Sequence, residues 1–200
     1  PEMSRGLGDV YKRQVSVKAI PYVDYGFFAD DDKDEEELKK RIKELSLEIS
    51  KDYEDKNPVM LCLLKGSVSY YAHLCENMYI PLEYEFLRAS SYHGATSTGE
   101  VKLISLPTIS LENRHVIVVE DIIDTGRTLK YLKELLEHRG ANVKIVTLLD
   151  KPEGRIVEIK PDYSGFTIPN EFVVGFGLDY EENYRNLPYV GVLKPEVYNK

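Results

Sequence analysis

Three carboxylates at the end of one apolar run are the residues of this chain best placed to do chemistry. Val116-Ile117-Val118-Val119 ends in Glu120 and Asp121, and Asp124 follows after two isoleucines. Thr125-Gly126-Arg127-Thr128 comes next and opens a helical pattern in Leu129, Leu132 and Leu136. Backbone N–H groups in that turn would point at an anion, and the dipole at a helix N-terminus favours a phosphate. Acids, a Gly turn and a helix start thus share the carboxyl end of one strand, where open α/β sheets bind ligands. Taken singly, the paired acids would be loop-facing residues at a strand end, and Asp124 would be a helix N-cap, for which Asp is a favoured residue.

The elements that must hold this block follow from periodicity. Four successive β-branched residues read as a strand buried on both faces, as in a parallel sheet. Asp34, followed by Glu35, Glu36 and Glu37, suits the start of a helix carrying Leu38, Ile42, Leu45 and Ile49, so the charge run from Asp30 to Lys43 is a helix start and a solvated face. Pro58 opens a strand from Val59 to Leu64, and Lys65-Gly66-Ser67 turns into a helix carrying Val68, Tyr71, Leu74 and Met78. Leu82, Tyr84 and Phe86 alternate with Glu83 and Glu85, a strand with one polar face. Arg88 to Glu100 has no period and reads as a long polar loop, of a kind usually functional or disordered. Val101 to Leu106 returns to strand, Gly140 suits the αL cap of the central helix, and Val143 to Leu149 is another buried strand. Beyond Pro152, the prolines at 161 and 169 break the chain into short strands and turns that end with Val190 to Leu193. Strands alternating with helices imply βαβ units and the α/β class with a parallel sheet.

Two hundred residues suffice for one domain with a good core and no staples. The net charge of −8 argues against non-specific nucleic-acid binding, yet it leaves room for an anionic substrate neutralised by a cation. Cys62 and Cys75 have no metal-ligand spacing and read as packed thiols. Neither a signal peptide nor a run of the ~20 apolar residues of a membrane span is evident, so a cytoplasmic protein is expected. Residues 1–14 lack usable periodicity and read as an extension foreign to the fold.

The block from Val116 to Thr128 resembles the pattern by which type I phosphoribosyltransferases bind phosphoribosyl pyrophosphate. Further segments, in family order over roughly residues 15–200, sharpen the likeness to the bacterial hypoxanthine phosphoribosyltransferases. They are Leu64-Lys65-Gly66-Ser67, Ser91-Tyr92 with Ser97-Thr98-Gly99, Leu149-Asp150-Lys151-Pro152, Phe172-Val173-Val174-Gly175, Leu178-Asp179-Tyr180 and Tyr184-Arg185-Asn186-Leu187-Pro188. The resemblance implies a mainly parallel five-stranded sheet flanked by helices, with a core at about 35–160. A small hood from about 15–34 and 161–200 would cover its carboxyl edge. It also implies transfer of the phosphoribosyl group to a 6-oxopurine, giving a nucleoside monophosphate and pyrophosphate in purine salvage, with Mg²⁺ and a homodimer or homotetramer.

The roles implied by the resemblance divide among three demands. The departing pyrophosphate would meet Lys65, Gly66 and Arg185, with a cis peptide at Leu64-Lys65. Glu120 and Asp121 would hold the ribose hydroxyls and Mg²⁺, Asp179 would contact a second Mg²⁺, and Thr125, Gly126, Arg127 and Thr128 would bind the 5′-phosphate. Asp124 would take the proton from purine N7. Phe172 would stack on the base, Lys151 would donate to its 6-oxygen, the Val173 backbone would meet N1, and adenine would be rejected for offering Lys151 a donor. Ser91, Tyr92, Thr98 and Gly99 would belong to a mobile loop.

Three other functions share parts of this pattern. A regulator on the same fold, binding nucleotide or RNA, would keep the phosphate loop; Lys151, Phe172, Asp179 and the acidic balance speak against it. A phosphatase or dinucleotide-binding protein would need an Asp-x-Asp signature or a full Gly-x-Gly-x-x-Gly, and Gly175-Phe176-Gly177 lacks the third Gly. An inert binding protein would have no need of every acid and cation.

Overall fold

The computed structural model describes residues 23–24, 34–91, 101–105 and 107–198. In chain order its elements are β1 (Val23–Asp24), α1 (Asp34–Asp52), β2 (Val59–Leu64), α2 (Val68–Glu76), β3 (Glu83–Ser91), β4 (Val101–Ser105), β5 (His115–Ile123) and α3 (Arg127–His138). Then come β6 (Asn142–Asp150), a 3-10 turn (Pro152–Gly154), β7 (Tyr163–Thr167), β8 (Val173–Val174), β9 (Gly191–Leu193) and α4 (Pro195–Tyr198).

The main sheet has the order β4-β3-β2-β5-β6-β7. Strands β3, β2, β5, β6 and β7 run parallel, and β4 pairs back antiparallel on β3. The sheet therefore has the five parallel strands and one more, because Val101–Ser105 closes a hairpin with β3.

Burial explains the continuous apolar runs. Along β2 and β5, successive side chains point to opposite faces. Met60, Cys62, Ile117 and Val119 pack with Leu38, Ile42, Leu45 and Ile49 of α1 and Leu74 of α2. Val59, Leu61, Val116 and Val118 pack instead with Leu129, Leu132 and Leu136 of α3. With helices on both faces these positions are apolar, and each such side chain contributes roughly 1.5–3 kcal/mol by burial. Both cysteines are buried and free, and burial pushes each thiol up to about 12, so they are packing residues.

Three local expectations change. Val68 is exposed, and α2 buries Tyr70, Tyr71, Leu74 and Cys75, ending before Met78. On β3 the polar face is the inward one: Glu85 is buried, whereas Tyr84 and Phe86 are exposed. Glu85 tolerates this position because Thr108 donates to it from both its hydroxyl (2.7 Å) and its backbone (3.3 Å). The stretch from Arg88 to Ser91 is strand, so the long loop begins later than its polarity suggested; Ser91 pairs with Val101. Residues Tyr92 to Glu100, with Thr98 and Gly99, lie outside the described residues, as do residues 1–22.

A second, three-stranded sheet has the order β1-β9-β8, with Val23 against Leu193 and Val173 against Val192. Among the described residues no helix is long and apolar enough to cross a membrane.

Candidate active site

Strands β2, β5 and β6 run parallel as neighbours, so their carboxyl ends fall along one sheet edge. That edge gathers Lys65-Gly66 after β2, Glu120 to Ile123 at the end of β5, and Lys151 after β6. The Leu64–Lys65 peptide is cis. Gly66 then passes so close to β5 that a Cβ there would lie 1.8 Å from Asp121 Oδ2.

Ser67 ties the turn to the acids. Its hydroxyl donates to Glu120 Oε2 (3.0 Å) and accepts from the Asp121 backbone N–H (3.1 Å). Asp121 Oδ1 accepts from the Ile122 backbone (2.8 Å), and the side chain is buried. Burial, with the Asp121 charge beside it, raises the Glu120 carboxyl well above the usual carboxylate range against the pull of the Ser67 hydroxyl. Burial likewise pushes Asp121 up to about 6; hydrogen bonds from the Ile122 and Asp121 backbone and the positive charge of Arg185 oppose it, and the Asp179 charge adds to it. The pair thus holds more negative charge than the protein alone accommodates well.

The turn beyond β5 opens α3 on a glycine. Gly126 is the N-cap of α3 with φ +79°, a left-handed conformation that costs Gly nothing and a side chain much. Lys130 donates from its backbone to Gly126 O (2.9 Å), the first bond of the helix. No side chain caps this helix end. The capping alternative for Asp124 therefore fails, and its carboxylate goes elsewhere. Glu120, Asp124, Thr125, Gly126 and Thr128 line a small cavity of about 150 Å³. Arg127 and Thr125 are exposed.

Asp124 meets Lys151. Lys151 Nζ lies 3.0 Å from Asp124 Oδ2 and donates to Glu171 O (3.2 Å). The lysine side chain is 8% exposed, the carboxylate 47%. Lys151 is thus no surface lysine. Phe172 is 38% exposed; its ring stacks on Tyr198 (5.2 Å, 27°) and meets Tyr180 edge-on (5.8 Å). Val173 is buried in the small sheet.

A third group forms around Arg185. Its Nη2 lies 2.8 Å from Asp179 Oδ1 and 3.2 Å from Glu182 Oε2, and its Nη1 donates to Gly177 O (2.8 Å). Its Nε is buried and finds no acceptor among the described residues. Lys65 Nζ donates to both oxygens of Glu182, each at 3.0 Å. Hydrogen bonds from Lys65 and Arg185 hold the exposed Glu182 carboxyl below its usual range. Lys65 and Arg185 therefore share one carboxylate with each other, and Arg185 joins them to Asp179.

Sequence reasoning passed over Ser67, Glu182 and Arg155 as site residues. Ser67 stood in the quoted Leu-Lys-Gly-Ser segment and could have been found there, since a hydroxyl after a Gly turn commonly satisfies nearby backbone. Glu182 and Arg155 carry no local signal. Among the described residues, no three His, Cys, Asp or Glu side chains stand together as a metal cluster. The set of Glu120, Asp121 and Asp179 is thus a pair with a more distant acid.

Comparison with known proteins agrees with this geometry. A sequence model of the phosphoribosyl transferase domain matches residues 32–181. The hypoxanthine-guanine phosphoribosyltransferase of Lactococcus lactis is 71% identical over 167 residues, covering 83% of this chain and 91% of the relative. That of Streptococcus pyogenes is 55% identical over 168 residues, covering 83% and 93%. The crystal structure of a hypoxanthine phosphoribosyltransferase from Staphylococcus aureus superposes with a TM-score of 0.80 at 49% identity, covering 83% of this chain and 91% of that one. Sheet order and sequence relatives converge, and the chain belongs to the phosphoribosyltransferase family, among the hypoxanthine-guanine phosphoribosyltransferases.

Proposed function

We propose that the chain transfers the 5-phosphoribosyl group of phosphoribosyl pyrophosphate to hypoxanthine, and to guanine, yielding IMP or GMP and pyrophosphate. The observation that carries this reading is the Asp124–Lys151 pair, 3.0 Å apart beside the anion loop. The pair offers a proton acceptor and a hydrogen-bond donor side by side, the set a 6-oxopurine presents a partner for at N7–H and O6.

In the reaction the bond from C1′ to the pyrophosphate oxygen breaks, and its electron pair leaves with pyrophosphate. Purine N9 bonds to C1′, and the N7 proton passes to Asp124. Thr125 to Thr128 hold the 5′-phosphate at the start of α3. Glu120 and Asp121 accept from the ribose hydroxyls. Lys65 and Arg185, whose buried Nε lacks an acceptor among the described residues, hold the pyrophosphate beside Gly66. Phe172 offers the base an apolar ring, and the small sheet carrying Val173 serves as the hood.

Mg²⁺ fits the donors. It takes oxygen ligands and is commonly held by one or two carboxylates plus substrate phosphates. Glu120 and Asp121 are such a pair, and burial has raised both, a penalty a cation would relieve. Asp179 would contact a second ion. When bound, Mg²⁺ neutralises charge on the departing pyrophosphate. A cytoplasmic location and a homodimer or homotetramer belong to the same proposal; the exposed Tyr84 and Phe86 rings on β3 offer a second copy an apolar surface.

The test is an assay of hypoxanthine, guanine, xanthine and adenine with phosphoribosyl pyrophosphate and Mg²⁺. Nucleotide from hypoxanthine and guanine and none from adenine is expected. No nucleotide from any base, together with a salt-dependent shift of RNA, would favour the regulatory reading instead.

A further inference from the structure

Arg155 lies just past the Pro152–Gly154 turn and has no assigned contact with substrate. Its guanidinium is nevertheless the most densely bonded side chain near the site. Nε donates to Asp124 O (3.0 Å), Nη2 to Ile123 O (3.2 Å) and Nη1 to Ile159 O (2.8 Å). Nη2 also donates to the carboxylate of Asp150. The side chain is 13% exposed. Its stem fills the space beside Gly126, where a Cβ would lie 2.8 Å from Arg155 Cδ.

Two backbone bonds run alongside. Lys151 donates to Ile123 O (3.0 Å) and Ile156 to Thr125 O (3.2 Å). Residues 151–156 are therefore strapped along residues 123–126, and Arg155 is the side chain of that strap. It grips the peptide of Asp124 from the carbonyl side, while the Asp124 carboxylate emerges toward Lys151 Nζ. The same guanidinium holds Asp150, the residue before Lys151. The proton acceptor and the 6-oxygen donor are thus fixed through one planar group whose fork geometry a lysine cannot reproduce.

We propose that Arg155 is a positioning residue for the transfer reaction: it acts through the Asp124 peptide and Asp150 to hold the carboxylate of Asp124 and the ammonium of Lys151 in register. The proposal rests on the phosphoribosyl transfer read above. Misplacing a reacting group by about 1 Å can cost ~10²-fold in rate. Arg155 is neutralised by Asp150, so binding of phosphoribosyl pyrophosphate depends on it little.

The test compares wild type with Arg155→Lys, which keeps charge and stem, and makes the same change in an Asp124→Asn background. Arg155→Lys should lower kcat by about 10- to 100-fold, with KM for phosphoribosyl pyrophosphate within about twofold. In the Asp124→Asn background the same change should cost clearly less, because one of the two groups it positions is gone. Ethylguanidinium should restore part of the kcat of Arg155→Ala. An unchanged kcat with a lowered thermal midpoint would make Arg155 merely structural and overturn the proposal. An equal kcat loss in both backgrounds would also overturn it, since Arg155 would then act elsewhere. Wild type that makes no nucleotide would instead refute the underlying reading.

Discussion

Gly66 offers the sharpest test of how the site is assembled. Adding one methyl there puts Cβ 1.8 Å from Asp121 Oδ2 and 2.9 Å from its Cγ. Reaching even 3.0 Å from that oxygen requires a displacement of about 1.2 Å. Asp121 cannot give way freely: it is buried, and its other oxygen accepts from the Ile122 backbone at 2.8 Å. The strain of such overpacking is typically ~1–3 kcal/mol. Replacing Gly by Ala recovers ~0.4–1 kcal/mol from the unfolded chain, because the backbone here is not left-handed. The net expectation for Gly66→Ala is a loss on the order of 1–2 kcal/mol. For a domain of this size that lowers the thermal midpoint by roughly 2–8 °C. Turnover should fall further than stability, by ~10²-fold, since the turn that carries Lys65 moves by about an ångström.

Calorimetry and steady-state kinetics read these two effects, and a double-mutant cycle isolates their cause. Asp121→Ala removes the atom that Cβ strikes, so Gly66→Ala in that background should cost little stability, a coupling of ~0.5–3 kcal/mol. Activity should not return, because the carboxylate is lost. Gly66→Ala with a wild-type midpoint and turnover, or full additivity in the cycle, would refute the claim that the turn is locked against Asp121.

Other perturbations separate the remaining parts. Asp124→Asn should lower nucleotide formation by ~10²–10⁴-fold, the range for a lost general base, with little change in thermal midpoint because Gly126 is the N-cap of α3. Lys151→Met should weaken 6-oxopurine use by ~1–3 kcal/mol, read from kcat/KM, and leave the affinity for phosphoribosyl pyrophosphate nearly unchanged. Glu120→Gln should raise the metal-free thermal midpoint near pH 8 and lose that advantage near pH 4. The folded Glu120 carboxyl is raised, so its ionisation destabilises the fold only once pH climbs through and above the ordinary carboxylate range. Glu182→Gln should tighten binding of inorganic pyrophosphate severalfold in calorimetric titration, because Lys65 and Arg185 would no longer be engaged by a competing carboxylate.

What could be read from residue order was whatever depends on short-range geometry. The run Val116–Val119 implied burial on both faces, and β5 is indeed covered by α1 and α2 on one face and by α3 on the other. Leu129, Leu132 and Leu136 define one face of a helix, and all three are buried. The Asp-Thr-Gly turn announces itself because only Gly sits comfortably at φ +79°. The inverted polarity of β3 was not legible, since Glu85 is satisfied by Thr108, 23 residues away, and no local rule anticipates that partner. Nor was the extension of β3 to Ser91, which depends on pairing with Val101. Asp124 shows the same limit. Its type and place suit a helix cap equally well, and only the fold brings Lys151 to within 3.0 Å of it.

The charge balance of the edge bears on how an anion enters it. Lys65, Arg185, Lys151 and Arg127 supply four cations against the five carboxylates of Glu120, Asp121, Asp124, Asp179 and Glu182. Lys65, Arg185 and Lys151 are already paired with carboxylates, and the half-buried Glu120 and buried Asp121, ion-paired with none of the three, are the acids raised in pKa. A phosphorylated sugar arriving alone would meet net repulsion everywhere except at Arg127 and the backbone N–H groups of the α3 turn. Arriving with a divalent cation, it would relieve the Glu120–Asp121 penalty and release Lys65 and Arg185 from Glu182 in the same event. Stability withheld from the empty site in this way becomes affinity for the metal-bound substrate over the free one. Phosphoribosyl pyrophosphate affinity should therefore depend far more steeply on Mg²⁺ in wild type than in Glu120→Gln, where the penalty to be relieved is already gone.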